Sequence, residues 1–205
     1  MGLTIDFSTL FDHQPNSIHD KFLSRLFGIF SEEIVKIWAS EKTLAPYVNE
    51  GRPTLRMKDK RHYTFDFTLK DKKTRKNYVS EQKCWFEYLN YKYFTLEKTD
   101  QVDYLTSSDS PNSFDRFLEL GKDPSKYPVY VDGEKTDIAG IVLIWGKVSD
   151  KGRTAVKRHY NLHDLLSLEA IVNDLVSWET PEFRSWTLEK RRWCNQLFEG
   201  ICSKE

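Results

Sequence analysis

The sequence predicts an α/β fold built on a mixed sheet. Three features predict it: an alternating apolar segment at 63–69, an unbroken apolar run at 138–145, and helical periodicity near both ends of the chain. Alternation marks a strand with one buried face. An unbroken run marks a strand covered on both faces, and helices must supply the cover. The 205 residues suit one domain spanning 1–205, and 13 Phe, 10 Tyr and 6 Trp give it apolar area for a sizeable core.

Residues 17–40 read as the first helix. Pro15 and Asn16 precede it, and Ser17 with Asp20 forms a capping start. Phe22, Leu26, Phe30, Ile34 and Ile37 share one arc of the helical wheel, flanked by Leu23, Phe27, Ile29 and Trp38. Residues 55–57 make a short strand. In 63–69, Tyr63, Phe65, Phe67 and Leu69 face one way and Thr64, Asp66 and Thr68 the other. The polar segment 70–77 (KDKKTRKN) reads as a hairpin connection to a second strand at 78–85. The aromatic-rich segment 87–105 is expected to be helical, and 106–112 (TSSDSPN) a surface loop.

Residues 138–145 (IAGIVLIW) suit a doubly buried strand. A helix is expected over 161–177 with Asn161 as its cap. Thr180 and Pro181 open the last helix, which carries Phe183, Trp186, Trp193, Leu197 and Ile201 on one face. Trp178, Trp186 and Trp193 are expected in the core.

The net charge is zero, but the charge is segregated. Ten basic residues lie between positions 52 and 76: Arg52, Arg56, Lys58, Lys60, Arg61, Lys70, Lys72, Lys73, Arg75 and Lys76. Three acids accompany them (Asp59, Asp66, Asp71), a local net of +7. By contrast, 97–137 holds ten acids and five bases. A basic segment of this kind points to a polyanionic partner. There is no G-x-S-x-G, no Walker A and no G-x-G-x-x-G, so triad hydrolases, P-loop enzymes and dinucleotide enzymes are not supported. No apolar run approaches a membrane span, and the first residues lack the pattern of a signal peptide. Three widely spaced cysteines (Cys84, Cys194, Cys202) make no disulfide framework, so a cytoplasmic setting is expected. Cys84 is expected buried and inert, and His159 and His163 as surface polar groups.

The chemistry-bearing feature is the strand pair. A connection symmetric about the Lys73–Thr74 bond sets Asp66 opposite Glu81 and Thr64 opposite Lys83. Glu81 and Lys83 share a face. Opposed carboxylates destabilise a sheet unless something compensates, and a hard divalent cation would do so. Lys83 beside it could hold a water or a phosphate oxygen. The plain alternative is a solvent-exposed hairpin face with a weak ion pair.

Asp66, a turn, then Glu81-Gln82-Lys83 on the neighbouring strand resembles the signature of the PD-(D/E)XK nuclease superfamily, of restriction-endonuclease-like fold. The element order resembles that family's αβββαβ core over about 17–145, with extra C-terminal helices at about 160–202. Phe65 stands where the family name has Pro. The stretch RHYTFDF at 61–67 is similar to transposon-end and restriction-type members. The resemblance implies a Mg²⁺- (or Mn²⁺-) dependent endonuclease, with DNA the expected substrate, in restriction, repair, transposition or phage processing. It implies Asp66, Glu81 and the Gln82 carbonyl as metal ligands and Lys83 as the group that orients water. It also implies a further acid from the first helix. On the wheel Glu33 falls at about 20° from Phe22, inside the apolar arc, and Glu32 at about 280°, outside it; Glu33 is therefore the expected contributor. The basic segment would supply phosphate contacts, and a homodimer is one state the resemblance allows. A non-catalytic nucleic-acid or protein interaction module on the same fold is the other class of function the sequence admits.

Overall fold

The computed structural model describes residues 4–6, 17–84, 95–107 and 110–202. In chain order the elements are α1 (Ser17–Ser40), β1 (Tyr47–Asn49), β2 (Pro53–Arg56), β3 (His62–Thr64), β4 (Phe67–Asp71), β5 (Asn77–Lys83) and β6 (Thr95–Leu96). There follow α2 (Asp100–Asp103), α3 (Ser113–Lys122), β7 (Val129–Val131), β8 (Glu134–Thr136), β9 (Ile138–Trp145) and β10 (Lys147–Val148). The chain continues with α4 (Asp150–Tyr160), β11 (Asp164–Ser167), α5 (Leu168–Trp178) and α6 (Pro181–Cys202).

A mixed five-stranded sheet, ordered β1-β4-β5-β9-β11, forms the centre. β1, β4 and β5 are antiparallel neighbours; β5, β9 and β11 run parallel. As its continuous apolar sequence requires, β9 sits inside the sheet with Ile141 to Trp145 all buried. One face carries Phe67, Leu69, Val142 and Ile144 against Val35 and Trp38 of α1 and Leu168, Ile171 and Leu175 of α5. The other carries Val79, Ile141, Leu143 and Trp145 against Phe114 and Phe117 of α3 and Val156 and Tyr160 of α4. A second, antiparallel sheet, β3-β2-β7-β8, lies on that side and buries Leu55 and Val129 in the same cluster. β6 and β10 form a short parallel pair.

The α/β class and the mixed sheet agree with the sequence reading; several elements differ from it. The alternating segment is not one strand but two. β3 belongs to the second sheet and β4 to the central one, with a bend at Asp66 between them. The chain therefore delivers Phe65 to the α3 side and Phe67 to the α1 side, and Thr68 is fully buried. The expected helix at 161–177 is a strand followed by a helix. Asn161 ends α4 in the left-handed conformation (φ 54°), and Asp164–Ser167 pairs with β9. The sheet thus reaches past residue 145 into the segment expected to be a helical extension. Of 87–105, Thr95–Leu96 is a strand and only Asp100–Asp103 is helical; 87–94 lies outside the described residues, as do Pro15, Asn16 and the side chains of Phe22 and Leu23. α3 was not expected, although Asn112 and Asp115 form a reciprocal capping box at its start. Ile29 is 63% exposed, outside the arc assigned to it. Trp178 and Trp186 pack on the core as expected, but Trp193 is 48% exposed because α6 runs on past the body it covers. No helix among the described residues is long and apolar enough to cross a membrane.

Candidate active site

The β4–β5 ladder pairs Phe67 with Ser80 and Lys70 with Asn77, the register that symmetry about Lys73–Thr74 dictates. Asp66 stands one residue beyond the last pair. Its Oδ2 accepts the Gln82 backbone N–H at 2.7 Å, so the carboxylate caps the open end of the hairpin. Thr64 does not continue the ladder to Lys83; it pairs with Thr54 in the second sheet, because the bend at Asp66 diverts the strand.

Alternation along β5 puts Ser80 and Gln82 toward α1, and Val79, Glu81 and Lys83 toward α3. Gln82 Nε2 donates to Ser31 Oγ of α1. Lys83 Nζ donates to Glu81 Oε1 at 2.7 Å and lies 5.8 Å from the Phe114 ring centroid. The Glu81 side chain is only 9% exposed. Its second oxygen, Oε2, is buried with no hydrogen-bond partner among the described residues. Burial pushes the Glu81 carboxyl above the usual carboxylate range; Lys83 draws it down and neighbouring Asp66 pushes it further up. A buried carboxylate oxygen left without a donor is costly unless a ligand completes it.

Two acids of α1 were candidates to complete the site, and the structure separates them in the opposite sense to the wheel. Glu33 is engaged by α6: Trp186 Nε1 donates to its Oε2 at 2.6 Å and Lys190 Nζ at 2.8 Å. Lys190, then Trp186, hold the Glu33 carboxyl below its usual range. Glu32 instead shares the Arg52 guanidinium with Asp66, at 3.8 and 3.6 Å. The wheel failed because α1 buries two stripes, one on the sheet and one on α6. Arg52 Nε also donates to the Phe65 carbonyl at 3.3 Å, which fixes the arginine at the bend.

The ten basic residues do not form one surface. Arg52 sits at the site. Arg56, Lys58, Lys60 and Arg61 belong to the β2–β3 hairpin, where Asp59 binds the Arg61 side chain at 2.7 Å. Lys70, Lys72, Lys73, Arg75 and Lys76 belong to the far end of the β4–β5 hairpin, roughly 14–20 Å from Asp66 at strand rise. Two of these are occupied: Lys70 by Glu50 at 3.3 Å and Lys72 by the Glu41 carbonyl at 2.7 Å. Cys84 is buried on the α1 side, and burial pushes its thiol up.

A second polar cluster at that far end was not foreseen. The His163 ring stacks on Tyr78 (3.8 Å between centroids), and its Nε2 lies 3.4 Å from Asp71 Oδ2. Nearby, Tyr47 donates to Asp164 at 3.2 Å and Lys157 pairs with the same acid at 3.0 Å. His163 is thus more than a surface group. Its place follows from the turn after α4, which periodicity does not reveal.

Asp66, Glu81 and the Gln82 carbonyl offer a hard oxygen donor set, with Glu81 Oε2 unfilled, and this fits a magnesium ion that keeps several waters. Among the described residues no three His, Cys, Asp or Glu side chains gather as a metal site, so the protein would supply two carboxylates and a carbonyl. Compared with family models, curated proteins and solved structures, the chain matches none.

Proposed function

We propose that the protein is a metal-dependent nuclease of the PD-(D/E)XK kind, hydrolysing phosphodiester bonds of DNA at the Asp66–Glu81–Lys83 cluster. The observation that carries this reading is the buried, unfilled Glu81 Oε2 beside Asp66, with Lys83 already bonded to the other oxygen. A helix, a three-stranded antiparallel run and a strand added in parallel after further helices also support a restriction-endonuclease-like core.

Asp66 and Glu81, with the Gln82 carbonyl, would hold Mg²⁺ or Mn²⁺. The bound cation supplies Lewis-acid stabilisation and a more acidic water. Lys83, oriented by Glu81, positions the attacking water and faces the negative charge that grows on the phosphate oxygens. Arg52 is 58% exposed, so it can leave Asp66 and turn to a neighbouring phosphate. Gln82, tied to Ser31 by its side chain and to Asp66 by its backbone, keeps the two layers in register at the site.

The test is nicking of supercoiled plasmid with Mg²⁺ or Mn²⁺, beside melting temperatures with and without metal. The wild type is expected to nick, to stop on chelation, and to gain thermal stability from the ion by mass action. Asp66→Asn is expected to lose both responses while its metal-free form stays as stable as wild type, since an amide oxygen still accepts the Gln82 N–H. Cutting by that variant, or an identical response to metal, overturns the assignment.

A further inference from the structure

We propose that the outer face of the second sheet, centred on Arg56 and Tyr130, is a platform for a single strand of DNA that leads into the Asp66–Glu81 cluster. The direction of travel and the choice of DNA rest on the nuclease reading above; the platform for a single strand itself rests on the sheet.

The register divides the side chains of this sheet cleanly. Leu55, Val129 and Val131 are buried, and Tyr63 packs against the same core. Arg56 pairs with His62, Thr54 with both Thr64 and Tyr130, and Tyr130 with Lys135. By alternation these six residues make the other face. Arg56, His62, Thr64 and Lys135 are exposed, and Thr54 and Tyr130 are half-buried. No carboxylate stands among the six. The Arg56 guanidinium lies 4.1 Å over the Tyr130 ring centroid. A cleft of about 530 Å³ opens at one end of the face, lined by Thr54, Arg56, Met57, Lys60, Arg61 and His62.

Cations around an arginine–tyrosine stack suit a nucleic-acid strand: phosphates meet the cations and a base stacks on the planar pair. A duplex hides its base faces, so the stack favours a single strand. Asp59 already engages Arg61, and the phosphate load falls on Arg56, Lys60 and Lys135. β3 carries this face to Thr64, two residues before Asp66. A strand lying along it would therefore arrive at the candidate site.

The test is fluorescence anisotropy of a labelled oligothymidylate, with duplex DNA and oligouridylate in parallel, in chelator so that nothing is cut. Wild type is expected to prefer the oligothymidylate. Arg56→Ala and Tyr130→Ala should each weaken it roughly five- to hundredfold, and Tyr130→Phe should restore binding. Arg56→Lys, which keeps the charge on an exposed side chain, should still lose most of the stacking gain and so serves if Tyr130→Ala does not fold. Unchanged affinity in folded Arg56→Ala and Arg56→Lys overturns the platform, and tighter oligouridylate binding overturns the choice of DNA. Strand binding lost in these variants upholds the platform even if the wild type never nicks plasmid, an outcome that would sink only the nuclease reading.

Discussion

The β4–β5 hairpin carries a carboxylate cluster at each end, and the two are treated differently. At the turn end, Asp71 Oδ1 accepts the backbone N–H groups of Lys73 and Thr74, both at 2.7 Å, and its other oxygen faces His163. Those donors, Thr74 first, hold the Asp71 carboxyl below its usual range. At the open end, Glu81 has one lysine for one oxygen and, among the described residues, nothing for the other, and its carboxyl is pushed up. A carboxylate with every donor in place secures a turn. One that is buried and half served retains binding capacity, and the same strand pair displays both.

Four changes would break or sharpen this contrast. Lys83→Ala should cause the largest loss, roughly 10²–10³-fold in cleavage, as for removal of a group that meets developing charge. Calorimetry should show Mn²⁺ binding largely intact; full cleavage would end the role given to Lys83. At the other end Asp71→Ala should leave cleavage alone and cost about 1–2 kcal/mol of stability, the scale of a lost cap. Because Asp71 is depressed in the folded protein, its contribution is present above its unfolded pKa of about 3.9 and is lost as pH falls through the folded value. The gap between wild type and variant in denaturant titrations should therefore be full at neutral pH and close in acid.

Glu81→Gln should act in the opposite sense and less strongly. A carboxyl raised in the folded state favours folding below its unfolded pKa of about 4.3 and ceases to do so as pH rises through the folded value. The metal-free variant should melt above wild type at pH 7 and level with it near pH 4. A variant that melts lower at neutral pH would show that the pair with Lys83 outweighs burial. The smallest effect should come from Lys73→Glu with Arg75→Glu, which reverses exposed charges far from Asp66. Its salt slope on DNA should change by less than the 0.9 that one lost phosphate contact gives. A larger change would move the binding surface to the turn.

Much of the turn end and the pairing was readable from residue order. A polar connection between two β-rich segments leaves few registers that keep Phe67 and Leu69 inside, and the observed one follows. The bend at Asp66 was not readable, since alternation continues unbroken through a point where the strand changes sheets. Nor was the choice between Glu32 and Glu33, which depends on α6 packing against α1, with Trp186 reaching Glu33 from 153 residues away in sequence. Leu162, Leu165 and Leu166 imitate helical spacing, and only the parallel pairing of β11 with β9 makes Leu165 and Leu166 a strand. Asn112 and Asp115 did spell a helix start, and α3 could have been found from them.

β3 and β4 are one extended stretch of backbone lent to two sheets, with Phe65 and Asp66 as the splice. Phe65 is pinned against Phe117 at 5.9 Å between ring centroids, and its N–H donates to the Pro53 carbonyl. A displacement of the second sheet is therefore passed on within a single residue to the carboxylate that caps the hairpin. On the proposed function, grip and cut would share a lever arm: a change that loosens the splice would alter how tightly a strand is held and how fast it is severed together, and neither property could be tuned there alone.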